Sequence, residues 1–165
     1  MSKLHVNEIN AKDSDVTAMT IDSSGRVSTP NVIAFYAELD TSGVSATNTL
    51  VFQTVKLNQG NAYNNSTGKF TAPINGVYHL HFTILSASNT TANDIALTYN
   101  NGLGSEVNLV KARHQDAGSS VHATMSGTWT GTLTANDTVE CEVTNSATHF
   151  SATSKWCTFG GFFIG

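Results

Sequence analysis

Between Val77 and Leu85 the chain alternates strictly: Tyr78, Leu80, Phe82 and Ile84 fall on one face, and Val77, His79, His81, Thr83 and Leu85 on the other. A period of two with one strongly apolar face predicts a β-strand that covers a core. The same period recurs in the stretch from Ser120 to Leu133, where Val121, Ala123, Met125, Gly127 and Trp129 oppose His122, Thr124, Ser126 and Thr128. It appears again at Thr138–Val143, where Val139, Cys141 and Val143 share a face opposite Glu140 and Glu142. Further extended runs are predicted at Val32–Leu39, Leu50–Leu57, Lys69–Thr71, Ile95–Tyr99, Glu106–Arg113 and Trp156–Ile164.

Turn chemistry separates these runs. Asn64–Gly68, Pro73–Gly76, Asn100–Gly102 and Thr134–Asp137 carry the Gly, Pro, Asn and Asp residues that tolerate or impose turn dihedrals. Small polar residues mark Asp40–Thr49, Ser86–Asp94 and His114–Ser119 as surface loops. The chain therefore reads as an all-β domain from residue 31 to 165. Thr, Ser and Asn, at 23, 17 and 16 residues, favour strands and turns over helix interiors and agree with it.

The first thirty residues differ. Leu4, Val6, Ile9, Val16, Met19, Ile21 and Val27 are single apolar residues in a polar background, too few to fold alone. Two short strands, Val16–Ile21 and Arg26–Thr29, are expected around the turn Asp22–Gly25. The segment needs a partner surface, and Leu4, Val6, Ile9, Val16, Met19 and Ile21 are the candidates for docking.

Charge narrows the function classes. A net charge of −4 with only 8 Lys plus Arg lacks the basic patch a nucleic-acid partner requires. No apolar run reaches the length of a membrane span, and the opening MSKLHVNEIN lacks the apolar core of a signal peptide, which is read as synthesis in a cytosol. Cys141 and Cys157 are too few for a disulfide framework and show no metal-ligand spacing; Cys141 is expected as a buried thiol beside Val139 and Val143. No nucleophile elbow, metalloprotease helix or phosphate loop is present, so no catalytic residue is assigned and no cofactor is implied. Glu140 and Glu142 are read as a solvated strand exterior. Asp94, Glu106, Asp116 and Asp137 lie near loops but form no ordered calcium-binding loop.

The spaced pattern Phe52, Asn58, Tyr63, Phe70, Gly76, Tyr78, Leu80 and Phe82 resembles the signature of the C1q-like domain, the globular-head family of complement C1q. Leu80 departs, standing where that family usually has phenylalanine. The closing stretch Phe159-Gly160-Gly161-Phe162 is similar to the family's terminal phrase, and Asn136 replaces a usual glycine at the preceding turn. The resemblance implies a ten-stranded jelly-roll sandwich of C1q/tumour necrosis factor type, two five-stranded antiparallel sheets, assembled as a homotrimer. Phe52, Tyr63, Phe70, Tyr78, Phe82, Trp129, Phe159 and Phe162 are expected as core packing. In trimers of this family the sheet face opposite Tyr78, Leu80 and Phe82 commonly packs towards neighbouring subunits, so His79 and His81 become candidates for the trimer interface. The sequence shows them no recognisable partner to orient their rings, and neutral hydrogen-bonded histidines are the reading favoured over metal-bridged rings.

A second resemblance concerns the beginning of the chain. SKLHVNEI, and MTIDSSGRVSTP leading into an aromatic strand, are similar to N-terminal segments of tail-fibre and appendage proteins of tailed bacteriophages. It implies a virion protein whose residues 1–30 dock onto another phage structural protein. The head would then meet a host-surface glycan or protein through the loops Asp40–Asn48, Ser86–Asp94, Asn100–Glu106 and His114–Ser119. The alternative is a purely structural cement or trimerisation component without receptor binding.

Overall fold

The computed structural model of the chain describes residues 6–12, 14–40, 44–46, 49–86, 93–100, 102, 106–114, 122–145, 147–149 and 155–165. All regular structure among them is β-strand. The chain divides into two compact units, Met1–Val32 and Ile33–Gly165.

The first unit is an antiparallel sheet of β1 (Glu8–Asn10), β2 (Thr17–Ile21) and β3 (Val27–Ser28), in that order. The turn between β2 and β3 is held by Asp22, whose Oδ1 accepts the N–H groups of Ser24 and Arg26, both at 2.9 Å, while Arg26 Nε reaches Oδ2 at 2.6 Å. The Arg26 hydrogen bonds hold the Asp22 carboxyl below the usual carboxylate range. This is the hairpin expected from the sequence. Strand β1 was not expected, because three residues around a single Ile9 carry no periodicity.

The second unit contains β4 (Ala34–Glu38), β5 (Val44–Ala46), β6 (Thr54–Gln59), β7 (Tyr63–Asn64), β8 (Lys69–Thr71), β9 (Gly76–Ser86), β10 (Asn93–Asn100), β11 (Glu106–His114), β12 (Ala123–Leu133), β13 (Thr138–Asn145), β14 (Ala147–His149) and β15 (Thr158–Phe163). One sheet runs β12-β9-β15-β4-β6; the other runs β11-β10-β13-β8-β7. These ten strands are the expected jelly-roll sandwich. The ribbon β5/β14 adds to the first sheet through the single pair His149↔Ser86. The stretch Asp40–Thr49, expected as loop, thus holds one of the two ribbon strands.

Alternation decides the layers. Along β9, Tyr78, Leu80, Phe82 and Ile84 are buried while the intervening residues are half-buried. On β12, Met125, Gly127 and Leu133 point inward, and Thr124, Ser126, Thr128, Thr130 and Thr132 outward. Between the sheets, Phe35 stacks on Tyr63 and Phe70 at 5.1 and 5.2 Å and meets the edge of Phe159 at 4.9 Å. Such ring pairs add to the area they remove from water. Gly76 starts β9 at φ 155°, where a side chain is disfavoured and a Cβ would run into the Phe163 ring and the Gly165 carbonyl. Asn136 takes the left-handed conformation, φ 75°, that its place in the turn requires.

One aromatic was misplaced by the sequence reading. Phe162 is 46% exposed, because buried Phe159 sets the parity of β15 and puts residues 160 and 162 outside; Phe163 packs against the core instead. The strand expected at Leu50–Leu57 begins at Thr54, although Leu50 and Phe52 are fully buried and the Leu50 N–H binds the Cys141 carbonyl at 2.8 Å.

Candidate functional site

The two sheets of the sandwich present opposite chemistry on their outer faces. On the β11-β10-β13-β8-β7 sheet, Asp94 is bound bidentately by Arg113, Nε to Oδ1 at 2.6 Å and Nη2 to Oδ2 at 2.7 Å, with Lys111 Nζ 3.9 Å away. The Arg113 hydrogen bonds hold the Asp94 carboxyl below its ordinary range against the opposing effect of burial. Thr98 donates to Glu142 at 2.9 Å. Glu140 takes Lys69 at 3.1 Å and the Thr49 hydroxyl. Glu140 is therefore not the solvated side chain expected: it is 4% exposed, covered by Thr49 and Lys69. On this face Asp94 and Glu140 are held in ion pairs, and Glu142 accepts the Thr98 hydroxyl.

The β12-β9-β15-β4-β6 sheet has a different outer face. Register places Thr130, His79, Phe162 and Ala34 in one row across four strands, and Thr128, His81, Gly160 and Tyr36 in the next. Leu57 on β6 pairs with Tyr36. Three large apolar residues of this sheet and its end stay exposed: Leu57, Phe162 and Ile164. His79 and His81 lie among them, half-buried, as alternation predicted. His79 Nδ1 is 2.8 Å from Thr130 Oγ1, and its ring packs on Phe162 with centroids 5.2 Å apart. Burial first, and then the neighbouring His79, lowers the pKa of His81 and favours its neutral form.

A third surface lies on the first unit. Ile9 pairs with Met19, and Ile21 with Val27, so these four apolar residues share one face of the small sheet. The other face is polar: Thr20 and Ser28 share a hydrogen bond at 2.9 Å. Ile9 and Val27 are exposed, and Met19 and Ile21 half-buried. Of the remaining docking candidates, Val6 is half-buried, Val16 is exposed, and Leu4 lies outside the described residues. Sequence reading found these residues one by one but missed that β1 brings Ile9 onto Met19.

Most of the recognition loops also lie outside the described residues: 41–43, 47–48, 87–92, 101, 103–105 and 115–119. At their ends Asn93, Asp94, Glu106 and His114 belong to strands. Among the described residues no group of three His, Cys, Asp or Glu is gathered for a metal ion, and no helix is long and apolar enough to cross a membrane. Asp137 of the calcium candidates accepts the Thr134 N–H at 2.7 Å and the Tyr99 hydroxyl at 3.2 Å, so it fixes a turn. Cys141 and Cys157 are fully buried thiols outside any disulfide; Cys157 Sγ accepts the Leu85 N–H at 3.3 Å, and burial pushes the Cys141 thiol well up, as expected there for a small buried hydrophobe.

Known proteins carry the same sandwich. Structures similar to this chain include the globular domain of zebrafish complement 1qA protein, at TM-score 0.65 and 21% identity over 81% of this chain and 98% of that one. They also include Eiger TNF from S. frugiperda, at TM-score 0.68 and 15% identity over 82% and 94%. Complement C1q tumor necrosis factor-related protein 3 of Mus musculus and of Homo sapiens are each 27% identical over 132 residues, 80% of this chain and 51% of theirs. The chain thus spans about half the length of these curated relatives. The family model described as C1q domain matches residues 34–164, nearly the whole second unit. The chain belongs to the C1q domain family.

Proposed function

We propose that this chain is a non-enzymatic structural protein of a tailed-bacteriophage particle, a head, neck or tail appendage made in the host cytoplasm and carried on the virion. Its C1q domain forms a homotrimeric head for recognition of a host-surface glycan or protein. Residues 1–30 attach it to another phage structural protein. The contrast between the two outer sheet faces supports the trimer: one holds Asp94 and Glu140 in ion pairs, whereas the other leaves Leu57, Phe162 and Ile164 exposed around His79 and His81. Closed three-fold association hides such a face on every copy. The apolar face of Ile9, Met19, Ile21 and Val27 supports attachment through the first unit, and the phrases SKLHVNEI and MTIDSSGRVSTP support the phage setting.

Two measurements test this reading. Particles are assembled with the full chain or with a chain lacking residues 1–30. Incorporation of the full chain alone is expected, and equal incorporation places attachment on the head. Purified full chain is then added to host cells. Binding that competes with virions is the expected result. Absence of binding with normal incorporation selects the purely structural cement, and release of reducing ends from host polysaccharide makes the protein an enzyme.

A further inference from the structure

His79 and His81 stand two residues apart on β9 and project from one face, with ring centroids 6.0 Å apart and planes 33° from parallel. A zinc-class ion binds an imidazole nitrogen at about 2.0–2.1 Å, and that nitrogen stands about 1.1 Å from its ring centre. One ion therefore reaches two centroids separated by up to about 6.4 Å, and a tetrahedral angle corresponds to about 5.2 Å. The observed spacing lies inside that reach.

Three neighbours suit the pair to this task. Thr130 Oγ1 lies 2.8 Å from His79 Nδ1; when Nδ1–H donates to it, the free lone pair sits on Nε2. That orienting partner comes from β12, fifty-one residues along the chain, which is why spacing around the histidines did not reveal it. Gly160, paired with His81 across β15, lets the second ring lie close over the backbone: a Cβ there would stand 2.9 Å from His81 Cε1 and 3.0 Å from Nε2. The other residues facing the rings, Thr128, Phe162 and Tyr36, carry no charge. Glu38, at the end of β4, is engaged by Lys56 at 3.6 Å and Lys155 at 4.0 Å. Two imidazole nitrogen donors without a carboxylate select zinc, nickel or copper over calcium or magnesium.

We propose that His79 and His81 form a within-chain chelate for a divalent transition-metal ion, with Thr130 as the positioning residue and water completing the coordination. The chelate lies inside one chain and does not require the trimer.

The test uses the tag-free full chain, stripped with EDTA and titrated with zinc and with nickel by calorimetry, with bound metal counted by mass spectrometry. One ion per chain is expected, lost in His79→Gln and in His81→Gln. Thr130→Val is expected to weaken it by about 10- to 100-fold. Circular dichroism of each variant in EDTA establishes that the fold is intact. X-ray absorption of the zinc form should show two imidazole scatterers, a signature a merely structural role would not produce. No binding at millimolar zinc, one ion per three chains, or binding that survives both histidine substitutions would overturn the proposal.

Discussion

The Tyr63 hydroxyl accepts the Phe52 N–H at 3.0 Å and donates to the Phe52 carbonyl at 3.1 Å, so one side chain satisfies both backbone groups of a fully buried residue. Asn58 does the converse for Tyr63, accepting its N–H at 3.1 Å and donating to its carbonyl at 2.8 Å. Three residues of the spaced signature are thereby tied to one another, and Phe52, just ahead of β6, has its backbone groups satisfied outside any ladder. Tyr63→Phe leaves two polar backbone groups buried without a partner and is expected to cost about 1–3 kcal/mol in urea unfolding. A loss below experimental error would mean that water replaces the hydroxyl.

Burial also pushes the Tyr63 phenol up to about 12. An unfolded tyrosine ionises near 10, so between about 10 and 12 the unfolded chain releases a proton that the folded chain keeps. Stability held below 10 is therefore lost progressively as pH rises through this window. Burial also raises Tyr78 and Tyr99, so absorbance titration should show several late phenolate steps, of which the Tyr63 step is missing in Tyr63→Phe. Identical titration of wild type and variant would contradict the burial of this hydroxyl.

Acid acts on a different group. Arg113 keeps the folded-state pKa of Asp94 below that of an unfolded aspartate, about 3.9. The stabilisation is present above that value and lost as pH falls through the lower folded one. Asp94→Asn should be less stable at pH 6 and should flatten the fall in stability at more acidic pH. Parallel pH profiles for wild type and variant would show that Asp94 does not carry the dependence.

Leu80 is the departure from the family signature. It is fully buried opposite Gly161, where even an added Cβ would meet Leu80 Cδ2, and the Phe35 ring closes the same space. Restoring phenylalanine by Leu80→Phe is expected to overpack the site by about 1–3 kcal/mol and lower Tm by roughly 3–10 °C. An unchanged or raised Tm would reveal slack in the core.

These tests fall on elements of unequal legibility. Tyr78, Leu80, Phe82 and Ile84 were readable because a half-buried strand writes its burial as a period of two. Asn64–Gly68 and Thr134–Asp137 were readable from turn chemistry. The ribbon strands β5 and β14 were not, since three residues pairing far along the chain leave no local pattern. Glu140 looked like a solvated exterior because its cover, Thr49 and Lys69, comes from distant segments. Phe162 looked like core because aromatic identity outweighed the parity set by Phe159. The candidate surfaces followed the same rule: His79 and His81 were placed on the right face by alternation, while Thr130, Gly160 and the Ile9–Met19 pair required the tertiary fold.

The trimer carries the proposed function, and native mass spectrometry of the intact chain at micromolar concentration tests it most directly. A three-chain assembly is expected, and Phe162→Glu, which puts a charge beside His79 on the uncovered sheet face, should convert it to folded monomer. A wild-type chain that is a folded monomer at that concentration would contradict the assignment of this face to subunit contact.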